Sequence, residues 1–193
     1  MDMNLAFQNL EEQSYFIWDD FLSVSEVSEM CIDFNSRDSH FYKASTGKLK
    51  TINNSRTDEI DWFDPLDLNL IQTLVWDRLT NLRVKLNEHF YLGLVELEGH
   101  YAKYNISGHY DKHLDRFQND NARTITIIIY LNPVWNDQLG GELRIYPIHT
   151  APLNIIPLAG RLVCFLSAEL PHEVLNTLQL RQSFAGWFKT KRI

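Results

Sequence analysis

The chain has 193 residues, 45% hydrophobic, 12% aromatic and 22% charged, a balance that suits one globular domain and excludes wholesale disorder. Eighteen Lys and Arg against 25 Asp and Glu leave a net charge of −7, which argues against a nucleic-acid backbone or an anionic membrane as the main partner. Two cysteines in apolar runs, no secretory pattern at the start and no apolar stretch near the ~20 residues of a membrane span make a reducing cytoplasm the expected setting.

Residues 14–22 (SYFIWDDFL) read as a short strand. Ser23 or Ser25 then caps a helix to about Ser36, with Val27, Met30, Cys31 and Phe34 as its apolar stripe. Residues 35–61 are polar and read as a long loop or a frayed hairpin, a length that points to function or mobility. Asp64-Pro65 marks a helix start, and Leu66, Leu70, Leu74 with Ile71, Val75, Leu79, Leu82, Leu86 and Phe90 keep helical spacing to about Tyr91. From Leu94 the period changes. Strands are expected over Leu94–Tyr104, Arg123–Leu131, Glu142–Tyr146, Arg161–Leu166 and Gln182–Thr190, with turn signals between them. Helices first and strands afterwards predict an α+β fold, in which residues 1–93 give helical support and residues 94–193 form a jelly roll within the same domain.

Among seven histidines, His113 stands out because Asp115 follows two residues later. On extended chain, residues i and i+2 share a face, so the imidazole and the carboxylate converge on one cation. His172 supplies a third ligand from another strand, and two histidines with one carboxylate suit a non-haem Fe(II) oxygenase. Nine residues after His172 comes Arg181, whose strand face also carries Ser183, Ala185 and Trp187. A guanidinium and a hydroxyl beside a bulky wall suit a small dicarboxylate. Tyr130 shares a face with Thr124, Thr126 and Ile128, and its hydroxyl is placed to reach the same carboxylate.

These residues lie in an ordered series of motifs: YNISGHYDKHLD from Tyr104, RTITIIIYLN from Arg123, Trp135, GGELRIYP from Gly140, GRLVCFLS from Gly160, HEV from His172 and RQSFAGWF from Arg181. The series resembles the double-stranded β-helix core of Fe(II)/2-oxoglutarate-dependent dioxygenases, in the branch of hypoxia-sensing prolyl hydroxylases and their bacterial relatives. A shorter match upstream, Arg56-Thr-Asp58-Glu-Ile60-Asp-Trp62, resembles the segment beside that family's substrate loop. The resemblance implies that His113, Asp115 and His172 bind Fe(II), and that Arg181 pairs with the far carboxylate of 2-oxoglutarate beside Tyr130. It also implies that Tyr104 lines that pocket and Trp187 closes its wall, while Asp58 and Arg123 form an ion pair that positions the substrate loop. O2 is then the second cosubstrate, and ascorbate the accompanying reductant. An Arg rather than a Lys at position 181 favours the hypoxia-sensing type over the collagen type. The segment between Asp115 and Arg123 departs from the animal enzymes, so substrate identity does not carry over.

The function expected is hydroxylation of a prolyl residue in a protein, with succinate and CO2 released; a long polar segment over 38–61 favours a protein substrate. A hydroxylase of a free amino acid or another small molecule is the alternative. A non-catalytic binding module on the same scaffold is a third reading, against which no ligand position is replaced.

Overall fold

A computed structural model describes residues 2–45, 55–116 and 122–191. Helix α1 (Met3–Gln13) is capped by Asp2, whose side chain accepts from the Asn4 amide, and buries Ala6, Phe7 and Leu10. The sequence reading assigned no element there, because three apolar side chains among polar neighbours give little periodic signal. Strand β1 (Tyr15–Trp18) follows, and α2 (Val24–Ser36) starts in a capping box between Ser23 and Glu26. Strands β2 (Tyr42–Lys43) and β3 (Glu59–Trp62) pair antiparallel, so residues 35–61 include a short hairpin; most of the intervening segment, 46–54, lies outside the described residues.

The long helix α3 (Leu70–Phe90) begins later than Asp64-Pro65. The Asp64 side chain accepts from the Leu66 amide in a turn, and the helix is opened instead by a reciprocal box between Asn69 and Gln72. Leu66, Leu70 and Leu74 had been placed in the apolar stripe, but they are 95%, 92% and 41% exposed. The buried stripe is the other one, Ile71, Val75, Leu79, Leu82 and Leu86. Among the described residues, no helix is long and apolar enough to cross a membrane.

Eight further strands complete the fold: β4 (Leu94–Tyr104), β5 (Tyr110–His113), β6 (Arg123–Tyr130), β7 (Leu143–Ile145), β8 (Leu153–Ile155), β9 (Leu162–Leu166), β10 (His172–Val174) and β11 (Arg181–Thr190). They form two antiparallel sheets, a seven-stranded one in the order β1-β9-β6-β11-β4-β3-β2 and a four-stranded one in the order β5-β10-β7-β8. The strands β5, β8 and β10, three or four residues each, are too short for alternation to show in sequence.

Period-2 alternation gives the large sheet two different faces. Its outer face, with Leu97, Tyr101, Ile125, Ile127, Ile129, Phe184 and Phe188, packs with the helices in one apolar core. Its inner face contributes Ala102, Tyr104, Ile128, Tyr130, Val163 and Phe165 to a second core shared with Leu143, Ile145 and Val174 of the small sheet. Gly99 opens the outer face for Phe184: a Cβ there would lie 2.3 Å from Phe184 Cζ and 3.1 Å from the Ala185 carbonyl oxygen. Gly99→Ala is therefore expected to cost about 1–3 kcal/mol through displacement of that buried ring, read as a lower denaturant midpoint at unchanged slope.

Candidate active site

Antiparallel pairing of β10 with β5 sets His172 directly opposite His113, and their rings lie 4.3 Å apart. Asp115 follows His113 by two residues and turns its carboxylate between them, with Oδ1 3.5 Å from His113 Nε2 and Oδ2 3.5 Å from His172 Nε2. One donor atom from each of the three lies within 4.8 Å of the others. Both imidazoles are oriented from behind: His113 Nδ1 lies 2.8 Å from the Asp111 carbonyl oxygen and His172 Nδ1 3.0 Å from that of Leu170. Each Nδ1 then carries the proton, and each Nε2 lone pair faces Asp115. Burial pushes His172 down to about 4, which keeps it neutral at pH 7. Burial alone would raise Asp115, but the charge that His172 takes on in acid, the contact with His113 and the Arg123 guanidinium hold it well below the ordinary carboxylate range. Thr126 Oγ1 donates to Asp115 Oδ2 at 2.8 Å and contacts Ser167 Oγ at 2.8 Å, which fixes the carboxylate from the large sheet. Two imidazoles and one carboxylate, held on one side, fit a ferrous ion with positions left for other ligands.

A second polar group lies along the same inner face. The register sets Arg181 opposite Tyr104, and Ser183 opposite both Ala102 and Tyr130. The Arg181 guanidinium is 1% exposed, and its carbon sits 5.1 Å from the ring centres of both tyrosines. Its Nε donates to the Gly141 carbonyl at 2.8 Å and Nη1 to Ser183 Oγ at 3.3 Å, both neutral oxygens. Among the described residues Nη2 has no hydrogen-bond partner, and neither has the buried Tyr130 hydroxyl. Burial pushes that hydroxyl up to about 12, so at pH 7 it is a protonated donor. A buried cation with an unmet donor, beside an unmet hydroxyl, is unfavourable unless an anion completes it. The donor set fits a carboxylate.

At the other end of β11, Trp187 is 6% exposed, and the Arg123 guanidinium lies over its ring at 3.6 Å. Its Nε1 is buried without a partner. The expected ion pair between Asp58 and Arg123 is not formed. Asp58 instead binds Arg56, with Nε to Oδ1 at 2.7 Å and Nη2 to Oδ2 at 2.5 Å, while Arg123 Nε donates to Glu98 Oε1 at 2.9 Å. Arg56 is the nearer cation, two residues away on the same face of the chain. Its guanidinium also covers the Tyr110 ring at 4.4 Å, and Tyr110 stacks on His113 at 3.6 Å, so this pair buttresses a metal donor. Two more inner-face residues escaped the sequence reading as pocket residues: His100 and Trp62, paired across β4 and β3 with ring centres 4.6 Å apart. The signal was present, since residues 100, 102 and 104 share one face.

The comparisons with known proteins agree with this geometry. Residues 99–189 match the 2OG-Fe(II) oxygenase superfamily. A crystal structure of a prolyl-4-hydroxylase from Pseudomonas putida superposes with a TM-score of 0.91 at 30% identity, covering 99% of this chain and all of that one (100%). The chain belongs to the 2OG-Fe(II) oxygenase superfamily. Membership brings Fe(II), 2-oxoglutarate and O2 as its working partners. This oxygenase also resembles a Trichoplax adhaerens prolyl hydroxylase solved in complex with a hypoxia inducible factor peptide fragment, at 25% identity and a TM-score of 0.87, over 96% of this chain and 88% of that one. The human prolyl hydroxylase EGLN3 is 37% identical over 82 residues, which cover 41% of this oxygenase and 34% of that relative. The matched stretch thus spans about a third of the curated relative's length.

Proposed function

We propose that this oxygenase hydroxylates a prolyl residue of a protein substrate, with Fe(II) held by His113, Asp115 and His172 and 2-oxoglutarate anchored by Arg181. The observation that carries the reading is the buried Arg181 guanidinium with its unpartnered Nη2, on the same inner face that delivers Thr126 to the Asp115 carboxylate. A dicarboxylate with one end on Arg181 and the other at the metal accounts for both features. When bound, Fe(II) with 2-oxoglutarate and O2 supplies the oxidising power to hydroxylate an unactivated C–H bond, with succinate and CO2 as coproducts.

The chain's own part is orientation and the exclusion of water. The Asp111 and Leu170 carbonyls fix the imidazoles, Thr126 fixes Asp115, and Tyr130 and Ser183 offer hydroxyls beside Arg181. Tyr104 and Trp187 wall the two ends of β11. On this reading residues 94–193 are the double-stranded β-helix, residues 1–93 support it, and Arg56, Asp58 and Arg123 shape the substrate's approach. The β2–β3 hairpin beside the site and the peptide complex of the Trichoplax relative support a protein substrate. Two free cysteines and a ferrous centre fit a reducing cytoplasm, with ascorbate as reductant.

Purified protein given Fe(II), 2-oxoglutarate, ascorbate and proline-containing peptides is expected to release succinate in step with one added oxygen on proline, read by mass spectrometry. Succinate release stimulated by free amino acids and not by any peptide would overturn the protein-substrate reading.

A further inference from the structure

One polar ring on the inner face is used by neither the metal donors nor the Arg181 pocket. His100 stands on β4 opposite Ala185 of β11 and Trp62 of β3, on the same face as Tyr104, Arg181 and Trp187. It is 4% exposed, with ring centres 4.6 Å from Trp62 and 5.4 Å from Trp187. Its Nδ1 is buried without a hydrogen-bond partner among the described residues. An imidazole brings at least one donor to whatever surrounds it, and a buried polar atom left unpaired is destabilising. An aliphatic side chain would pack between the two indoles without that cost. Burial, helped by the charges of Arg56 and Arg123, pushes the ring down to about 3, so it is neutral at pH 7 with one donor and one acceptor.

We propose that His100 is a substrate-recognition residue, whose imidazole donates to the amide carbonyl flanking the target ring, while Trp62 and Trp187, packed on the imidazole with ring centres 6.1 Å apart, form one apolar wall beside that ring. The identity of that ring rests on the prolyl-hydroxylase reading. A prolyl residue within a chain is an apolar ring whose polar groups are its two flanking amides, and its own nitrogen has no hydrogen to give. Its carbonyls therefore need a donor. A neutral ring between two indoles meets that need, whereas free proline presents an ammonium and a carboxylate that call for charged partners.

The test uses the full chain with Fe(II) and 2-oxoglutarate and a set of blocked heptapeptides, central proline with randomised flanks, from which the best-turned-over peptide is taken. His100→Leu is expected to raise the KM for that peptide about tenfold with kcat within about threefold, the loss of one hydrogen bond made in the bound state. His100→Gln, which keeps a donor, is expected to recover most of the difference. The Leu variant is expected to melt at or above the wild-type temperature, because it removes a buried unpaired group. Equal KM values in the three proteins, or a lower melting temperature with KM unchanged, would show the ring to be structural. If free proline is turned over and no peptide is, the protein-substrate reading falls, and the same KM comparison with free proline decides His100 separately. If neither is turned over, the prolyl reading and the assignment of His100 to that ring fall together.

Discussion

Arg181→Met is expected to weaken 2-oxoglutarate binding by about 2–5 kcal/mol, roughly 30-fold to several thousandfold in Kd, while leaving the protein's stability unchanged or improved. Both halves follow from one geometry. The Arg181 side chain is 1% exposed and is met by two neutral oxygens, with Nη2 unpaired among the described residues. Replacing such a group with a flexible apolar side chain removes a desolvation penalty. With the dicarboxylate bound, the same substitution leaves an anion buried without its cation. Lys189 gives the contrast within the same strand, since its buried ammonium already reaches Glu96 at 2.8 Å and Glu98 at 2.9 Å. Removing that lysine breaks both pairs and leaves the half-buried Glu98 only Arg123, so Lys189→Met is expected to lose stability where Arg181→Met does not. Titration calorimetry of the Mn(II)-loaded protein with N-oxalylglycine reads the first half and thermal melting the second. Unchanged affinity in Arg181→Met would remove Arg181 from the pocket.

Asp115→Ala is expected to abolish turnover through loss of the metal. The carboxylate is the one charged member of the donor set, and it lies 3.5 Å from both imidazole Nε2 atoms. Changes to groups that merely orient a ligand cost about 10–100-fold in metal affinity, and loss of the anionic ligand itself costs more. Thr126→Val supplies the graded case, since it removes the 2.8 Å bond to Asp115 Oδ2 and leaves all three donors in place. Its metal affinity is expected to fall within that 10–100-fold range. Mn(II) binding followed by electron paramagnetic resonance ranks wild type, Thr126→Val and Asp115→Ala in that order; equal affinities for wild type and Asp115→Ala would exclude this centre.

Much of the site was legible because it is built on strands. Arg181, Ser183 and Trp187 are related by the two-residue repeat of a strand, which holds whatever that strand pairs with, whereas Asp115 lies in a bend just past the end of β5 and still turns its carboxylate to His113. Tyr130 and Thr126 were placed on one face by the same rule, and the register then set Tyr130 opposite Ser183. The partner of Asp58 was misread. Its local partner, Arg56 two residues away, was in plain view, but that Arg123 is drawn off to Glu98 depends on β6 and β4 flanking β11, a long-range relation that carries no local signal. The start of α3 was misplaced for a different reason. Leu66 and Leu70 have the spacing of a buried stripe, but the turn at Asp64 leaves both in solvent.

The strand order of the large sheet also bears on how the chain folds as it is made. Both of its edges are built from early residues, β1 on one side and the β2–β3 hairpin on the other, and each pairs with a strand made later, β9 and β4. Tyr15 waits for Phe165, 150 residues downstream, before its backbone groups find their ladder partners. Such long closures slow folding and leave unpaired edges exposed during synthesis. The ribosome-bound chain is thus expected to be a client of chaperones until β9 has emerged, and a fragment starting at Leu94 to present the bare edges of β4 and β9 and to aggregate.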